Sequence, residues 1–150
     1  MVKLVFVRRS SVGSFAIRAF TASRWSHVAL LTGEGTVIDA TARHGVAERS
    51  WDDFIKGASA FEFADVAADA ARHTAVVEAA RPQIGKKYDF LALLGIWFRS
   101  GWEEESKWFC SELVAWSLNT GLRPIFRTRD VRGVWPQHIW MLLPLLTGTD

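Results

Sequence analysis

The chain contains a single cysteine, Cys110, at the start of a stretch that favours a helix. The residues that follow it, SELVAW (111–116), supply a polar first turn and an apolar face that can anchor the helix. Unpaired N–H groups at a helix N-terminus favour a thiolate and can stabilise an oxyanion beside the sulfur. A nucleophile suits this position, and a buried, inert thiol suits it equally well.

A nucleophilic cysteine needs an imidazole within hydrogen-bond reach, and the chain offers four histidines. His73 falls in an alanine-rich helical stretch, His138 in the first turn of a predicted last helix, and His44 in a predicted loop. Those settings are more typical of solvated or structural side chains. His27 instead opens a predicted strand, and a strand end holds a side chain rigidly. We therefore take His27 as the candidate base.

Asp39 is the candidate partner of His27, because the segment SHVALLTGEGTVIDAT (26–41) predicts a β-hairpin. A tight turn at GEG (33–35) brings Asp39 back near the level of the His27 ring. Asp39 lies among apolar residues, where a carboxylate without a partner is costly. A hydrogen bond to a backbone turn is the structural alternative. With Cys110, the three residues supply a nucleophile, a base and an orienting acceptor.

The elements that must position these residues are strands in the first half of the chain and helices in the second. Strands are predicted over 3–7, 26–32, 36–41, in the segment 45–57 and over 60–66, with a helical turn after Ser50 and a short helix or a loop over 14–25. Helices are predicted over 69–85, 88–98 and 111–121 and from about Pro136. Gly85 is expected to end the first of them and Gly121 the third. This order is the α+β pattern.

Composition narrows the class of protein. The 150 residues predict a single domain over 1–150, and the net charge of +2 is too small to indicate a nucleic-acid partner. One cysteine excludes an intramolecular disulfide, and neither a metal nor another cofactor is predicted from the His and Cys spacing. We expect a cytoplasmic protein, because the N-terminus lacks signal-peptide order and no apolar run reaches roughly 18 residues.

Three segments together carry a resemblance to a known group: SHVALLTGEGTVIDAT (26–41), IGKKYDF (84–90) and FCSELV (109–114). They resemble the circularly permuted branch of the NlpC-type papain-like cysteine hydrolases, which includes the lecithin retinol acyltransferase-like proteins. In unpermuted enzymes the cysteine helix precedes the histidine strand, whereas here the histidine hairpin comes first. The resemblance implies a small antiparallel sheet or barrel packed against helices.

The resemblance also assigns roles to particular residues. It implies Cys110 as the nucleophile, His27 as the base and Asp39 as the third, orienting residue. Tyr88 matches a tyrosine that lies beside the nucleophile in such folds, where it would help the Cys110 backbone N–H to hold the oxyanion. Glu112 is expected to have a structural role, at the start of the helix or at the rim of the groove.

These expectations describe a thiol hydrolase or acyltransferase that works through an acyl-enzyme. The unpermuted relatives imply a cell-wall-type peptide substrate, and the lipid-acting permuted relatives imply an acyl or lipid-amide substrate. Trp97, Trp102 and Trp108 favour the apolar substrate, and residues 99–108 are a candidate lid.

Two other functions fit the sequence. A binding module of the same fold, silent in catalysis and part of a larger assembly, would account for the surplus of aromatic residues, eight Trp and ten Phe. A membrane-surface protein would use the apolar segment IWMLLPLL (139–146) and nearby arginines. The sequence predicts no oligomeric state.

Overall fold

A five-stranded antiparallel sheet forms the centre of the computed structural model of the chain. The structure describes residues 1–33, 35–66, 68–88, 107–122, 124–126, 131 and 133–146. The strands of the sheet are β1 (Val2–Arg9), β2 (His27–Leu31), β3 (Thr36–Thr41), β4 (Gly45–Ser50) and β5 (Ala58–Val66). They lie in the order β4, β3, β2, β1, β5, so that β4 and β5 form the two edges.

Three of the described helices follow the five-stranded sheet in the chain, as predicted, and two shorter ones lie between its strands. These helices are α1 (Val12–Thr21), α2 (Trp51–Ile55), α3 (Ala70–Ala80), α4 (Cys110–Gly121) and α5 (Pro136–Leu146). Two short strands, β6 (Lys87–Tyr88) and β7 (Lys107–Trp108), pair in parallel just before α4. The α+β class is confirmed, with the histidine hairpin preceding the cysteine helix. Among the described residues, no helix is long and apolar enough to cross a membrane.

The predicted hairpin is formed by β2 and β3, with Leu30 opposite Ile38 and Leu31 opposite Val37. Its turn contains Gly33 at φ +94° and Gly35 at φ +73°, a region that side chains with a Cβ rarely adopt. The two glycines therefore explain why the chain reverses here.

Strand alternation gives the sheet two buried faces. The larger core packs one face against α3, α4 and α5, and includes Leu4, Phe6, Val28, Leu30, Ile38, Leu113, Leu118 and Ile139. The smaller core covers the other face, where the short helix α2 contributes Phe54 against Val5, Val7, Ala29 and Val37. Ser50 caps α2, as predicted, by accepting a hydrogen bond of 3.2 Å from the backbone N–H of Asp53.

Two predicted helix ends are wrong, for different reasons. Helix α3 ends at Ala80 and continues only as a 3₁₀ turn over Arg81–Gln83. Pro82 lies in that turn, and proline has no N–H to continue the α-helical pattern. Gly121 is the last residue of α4 and does not follow it. A Cβ there would lie 2.5 Å from Val76 Cα, so this glycine allows close packing of α4 on α3.

The segment between α3 and α4 differs in part from its prediction. Tyr88 belongs to β6, and residues 107–108 form β7 where a loop was expected. The predicted helix beyond Tyr88, Trp97, Trp102 and most of the candidate lid at 99–108 lie outside the described residues. Upstream of β6, the Gly85 N–H donates to Val46 O at 2.9 Å and the Val46 N–H donates to Lys86 O at 2.8 Å, joining this segment to β4.

Candidate active site

Cys110 is the first residue of α4, as the sequence predicts. Phe109 precedes it in an extended conformation, with φ −80° and ψ 153°, and accepts the first helical hydrogen bond from the Leu113 N–H at 2.9 Å. The thiol is free and buried, with 5% of the residue exposed. The sulfur therefore lies at the positive end of a twelve-residue helix.

Glu112 fixes the start of this helix. One carboxylate oxygen, Oε2, accepts a hydrogen bond of 3.2 Å from the Phe109 N–H, which is half of a capping box. The other oxygen, Oε1, accepts a hydrogen bond of 2.9 Å from the Gly133 N–H. Glu112 thus ties the segment before α5 to the residue next to Cys110, in agreement with its expected structural role.

His27 is buried at the beginning of β2, between Cys110 and Asp39. Its Nε2–H donates to Asp39 Oδ2 at 2.8 Å, and the ring also interacts with the Cys110 side chain. Because Nε2 is bonded to the carboxylate, Nδ1 is the nitrogen left to exchange a proton with the sulfur. The imidazole packs at 5.8 Å, centroid to centroid, against the Phe54 ring.

Asp39 has no exposed surface and lies in the middle of β3. Besides the bond from His27, its carboxylate accepts two hydrogen bonds from Arg49 of β4. Arg49 Nε donates to Oδ1 at 3.1 Å, and Nη2 donates to Oδ2. The partners of this buried carboxylate are therefore two cationic side chains, where the structural alternative was a backbone turn.

The electrostatics of His27 and Asp39 follow from these contacts. Burial by itself lowers the pKa of His27, but the Cys110 thiolate and the Asp39 carboxylate outweigh it and raise the pKa to about 9. Burial by itself raises the pKa of Asp39, but the hydrogen bonds and charges of His27 and Arg49 hold that pKa below its ordinary value. The arrangement can thus hold a charged imidazole beside the sulfur.

Sequence reasoning missed Arg49. A signal for it was present in the register of the third strand, because β4 pairs with β3 so that Arg49 lies opposite Val37 and Ala47 lies opposite Asp39. Residues two apart in a strand share a face, which puts Val37, Asp39 and Arg49 on the same side of the sheet. A buried carboxylate with an arginine on the same face of the next strand predicts this ion pair.

The backbone of Tyr88 is described, and its side chain is not. Tyr88 lies opposite Trp108 in the parallel pair of β6 and β7, and Trp108 is two residues before Cys110. The fold therefore brings the backbone of the predicted oxyanion residue into register with the segment that leads to the cysteine.

A small, partly open cleft lies at Cys110. It is lined by Ile17, Ser26, Phe109, Cys110, Ser111, Trp135 and Pro136. Both serine hydroxyls already donate to backbone carbonyls, Ser26 to Val7 at 3.2 Å and Ser111 to Val134 at 2.6 Å. The remaining lining is apolar and comes from segments distant in sequence, which is why the sequence did not single out Ile17 or Trp135.

The other three histidines have separate settings. His44 is exposed, and the Nε2 of partly buried His73 lies 3.2 Å from Thr32 O. His138 Nδ1 accepts a hydrogen bond of 3.1 Å from the Trp135 N–H at the start of α5. None of the three appears among the interactions that set the pKa of His27.

Comparison with known proteins identifies a family whose model matches most of the chain. The family model described as permuted papain-like amidase enzyme, YaeF/YiiX, C92 family, matches residues 4–132. Among solved structures, the crystal structure of metalloprotein yiiX from Escherichia coli O157:H7, DUF1105, matches with a TM-score of 0.65 and 21% identity over 81% of this chain. The chain spans 65% of that protein, and the likeness shows a shared fold. No curated protein sequence matches the chain.

The word metalloprotein describes that neighbour. In the part of this chain that the structure describes, no group of three or more His, Cys, Asp or Glu side chains could hold a metal ion.

Proposed function

Because the chain belongs to the permuted papain-like amidase family, we propose that it is a cysteine amidase with Cys110 as nucleophile, His27 as base and Asp39 as orienting residue. Membership in this family supports hydrolysis of an amide bond. The observation that carries the cysteine mechanism is the 2.8 Å hydrogen bond between His27 and buried Asp39, in an imidazole that also interacts with Cys110.

The first half of the reaction forms a thioester. His27 Nδ1 takes the thiol proton, and the sulfur attacks the amide carbonyl carbon, placing the negative charge on its oxygen. The Cys110 backbone N–H and the Tyr88 hydroxyl are the proposed donors to that oxyanion. When the C–N bond breaks, the His27 imidazolium gives its proton to the leaving amine, and an acyl-enzyme remains on Cys110.

The second half releases the acyl group. His27 takes a proton from water, the oxygen attacks the thioester carbon, and the C–S bond breaks to release a carboxylic acid. The His27 imidazolium returns its proton to the leaving sulfur and restores the free thiol. If another acceptor replaces water, the same steps transfer the acyl group to it, as in the lecithin retinol acyltransferase-like proteins. The proposed kinship with NlpC-type hydrolases and with these acyltransferases rests on the three sequence segments quoted above.

The cleft supports an uncharged, apolar acyl group as the part of the substrate next to Cys110. Its lining includes Ile17, Phe109, Trp135 and Pro136, and both of its serine hydroxyls are already bonded within the protein. A charged acyl group would lose hydration there without gaining a partner among these residues. We therefore place acyl or lipid amides ahead of cell-wall-type peptides.

The rate of Cys110 alkylation by iodoacetamide against pH tests the cysteine mechanism without a substrate. We expect the wild type to react fast well below the free-thiol pKa of about 8.5, and the His27→Ala variant to react slowly until that pH is reached. His44→Ala, which removes an exposed histidine, is the control and should match the wild type. Fluorogenic acyl amides, peptides and esters then identify the substrate class, with Cys110→Ala as the blank.

A slow wild-type reaction that rises only near pH 8.5, unchanged by His27→Ala, would refute the proposed mechanism. It would favour the alternative of a binding module. One observation supports that alternative: Trp51 and the half-exposed Phe61 and Phe63 form an aromatic cluster at edge strand β5, with ring centroids 5.3 to 5.6 Å apart.

A further inference from the structure

We propose that Arg49 is a positioning residue of this site, whose guanidinium keeps the Asp39 carboxylate ionised and aimed at His27 Nε2 throughout the reaction. The inference rests on the proposed function and adds to it a residue outside the Cys110, His27 and Asp39 set. Arg49 does not touch the reacting atoms and acts only through Asp39.

The hydrogen bonds of Arg49 fix the orientation of the carboxylate. Nε bonds to Oδ1 and Nη2 bonds to Oδ2, the same oxygen that accepts from His27. Two parallel bonds from a planar guanidinium define the plane of a carboxylate, which one bond to a lysine ammonium cannot do. The lone pair of Oδ2 is thereby held toward the imidazole.

The four side chains form a row of alternating charge. When Cys110 is a thiolate and His27 an imidazolium, the order is negative, positive, negative, positive, ending at Arg49. Asp39 has no exposed surface, so its charge must be compensated by neighbours rather than by water. In the resting state both His27 and Arg49 provide this compensation.

The reaction removes one of these two cations. Once His27 has passed its proton to the leaving amine, the imidazole is neutral, and Arg49 is the cation still hydrogen-bonded to Asp39. Without Arg49, the buried carboxylate would hold the proton on His27 more tightly and oppose that transfer. Arg49 therefore serves the step in which His27 acts as an acid.

Charged groups of β1 and α2 also lie near the row of Cys110, His27, Asp39 and Arg49. Arg9 of β1 donates to the carbonyls of Phe54 and Lys56 and lies 5.8 Å from the Phe54 ring, while Arg49 lies 5.5 Å from the same ring. Asp53 of α2 is exposed and interacts electrostatically with Arg49. Arg9 also interacts electrostatically with Asp39, without a hydrogen bond to it among the described contacts.

The test compares Arg49→Gln and Arg49→Lys with the wild type by two measurements. Nuclear magnetic resonance of ¹⁵N-labelled His27 gives its titration, and iodoacetamide at pH 6 gives the reactivity of Cys110. Removing a positive charge raises the pKa of nearby groups, so Arg49→Gln should move the His27 titration upward. Loss of the paired bonds that aim Asp39 should misplace the imidazole beside Cys110 and slow alkylation on the order of 10-fold. Arg49→Lys keeps the charge but loses the paired bonds, and should restore the titration while alkylation stays slow.

The matched control is Arg81→Gln. Arg81 Nη1 lies 3.0 Å from Oε2 of Glu48, which precedes Arg49 in β4 and points to the opposite face of the sheet from Asp39. This variant should therefore change neither measurement. A His27 titration unchanged in Arg49→Gln would overturn the proposal, because a merely structural arginine would alter stability without altering that titration.

The Arg49→Lys variant keeps the test decisive if Arg49→Gln does not fold. An Arg49→Lys protein equal to the wild type in both measurements would overturn the positioning role. The titration reads the effect of Arg49 on His27 whether or not the chain turns over a substrate. Failure of the proposed function would instead appear in the wild type, as a thiol that reacts only near pH 8.5.

Discussion

The two faces of the central sheet are built on different principles. The face that packs against α3, α4 and α5 is apolar, and many side chains share the burial of its core. The opposite face carries a small apolar core around Phe54 and, beside it, the row of buried His27, buried Asp39 and partly buried Arg49. Cys110 belongs to the larger core and contacts His27 where β2 begins.

The two faces should therefore respond differently to substitution. An apolar core loses free energy roughly in proportion to the volume removed, because dispersion contacts and burial are spread over many atoms. In a row of buried charges, each group is compensated by one or two neighbours, so that the loss of one leaves another uncompensated. We therefore expect changes on the charged face to affect both stability and chemistry, and changes to the apolar face other than at Cys110 to affect stability alone.

The largest effect should come from Asp39→Ala on the charged face. This change leaves the partly buried Arg49 without its hydrogen-bonded carboxylate and His27 without its acceptor. We expect unfolding free energy to fall by about 3–5 kcal/mol and amide hydrolysis to fall by roughly 10³- to 10⁴-fold. Chemical denaturation and kcat with the best amide of the panel measure the two quantities.

Asp65→Ala is the control for this prediction. Asp65 lies in edge strand β5, partly exposed and 4.0 Å from Lys3, so its loss should lower stability by at most ~1 kcal/mol and leave hydrolysis unchanged. Equal stability losses in the two aspartate variants would contradict the difference between a buried charge row and a surface pair.

A smaller effect, confined to stability, should follow from Leu118→Ala on the apolar face. Leu118 lies in α4, eight residues after Cys110, and is fully buried. Truncation should lower the unfolding free energy by about 2–5 kcal/mol. The pH dependence of Cys110 alkylation should be that of the wild type, because no charge has moved.

Met141→Ala is the surface counterpart of Leu118→Ala. Met141 is 67% exposed on α5, so its truncation should change stability by less than about 0.5 kcal/mol. A shifted pH profile in folded Leu118→Ala protein would mean that the two faces are coupled more closely than their packing indicates.

The same difference explains how far the sequence could predict the structure. Alternating apolar residues predicted the strands of the sheet, and counting across the GEG turn predicted that Asp39 would reach His27. The hydrogen bond between those side chains agrees with that count. Local patterns of this kind are properties of a single segment, so one sequence contains them.

What the sequence did not predict depends on segments that meet only in three dimensions. The ion pair of Arg49 with Asp39 needs the register of β4 on β3, and the cleft needs Ile17 of α1 and Trp135 before α5 at the same sulfur. A glycine at position 121 is typical of a helix end, yet here it allows α4 to pack closely against Val76 of α3. Tertiary packing decides each of these.

The smallest predicted effect concerns pH and again separates the faces. A charged imidazole beside the sulfur should attract the anionic reagent iodoacetate relative to neutral iodoacetamide. The raised pKa means that His27 is charged below about pH 9 and neutral above it. The ratio of the two alkylation rates should therefore be high at neutral pH and fall through a midpoint near pH 9, with about half of the preference lost there.

Folded Leu118→Ala protein should keep this midpoint, and His27→Ala should show a low ratio at every pH. A wild-type midpoint near 6.5, the ordinary pKa of histidine, would show that the row of charges does not hold the proton on His27, and the contrast between the two faces would then be one of packing alone.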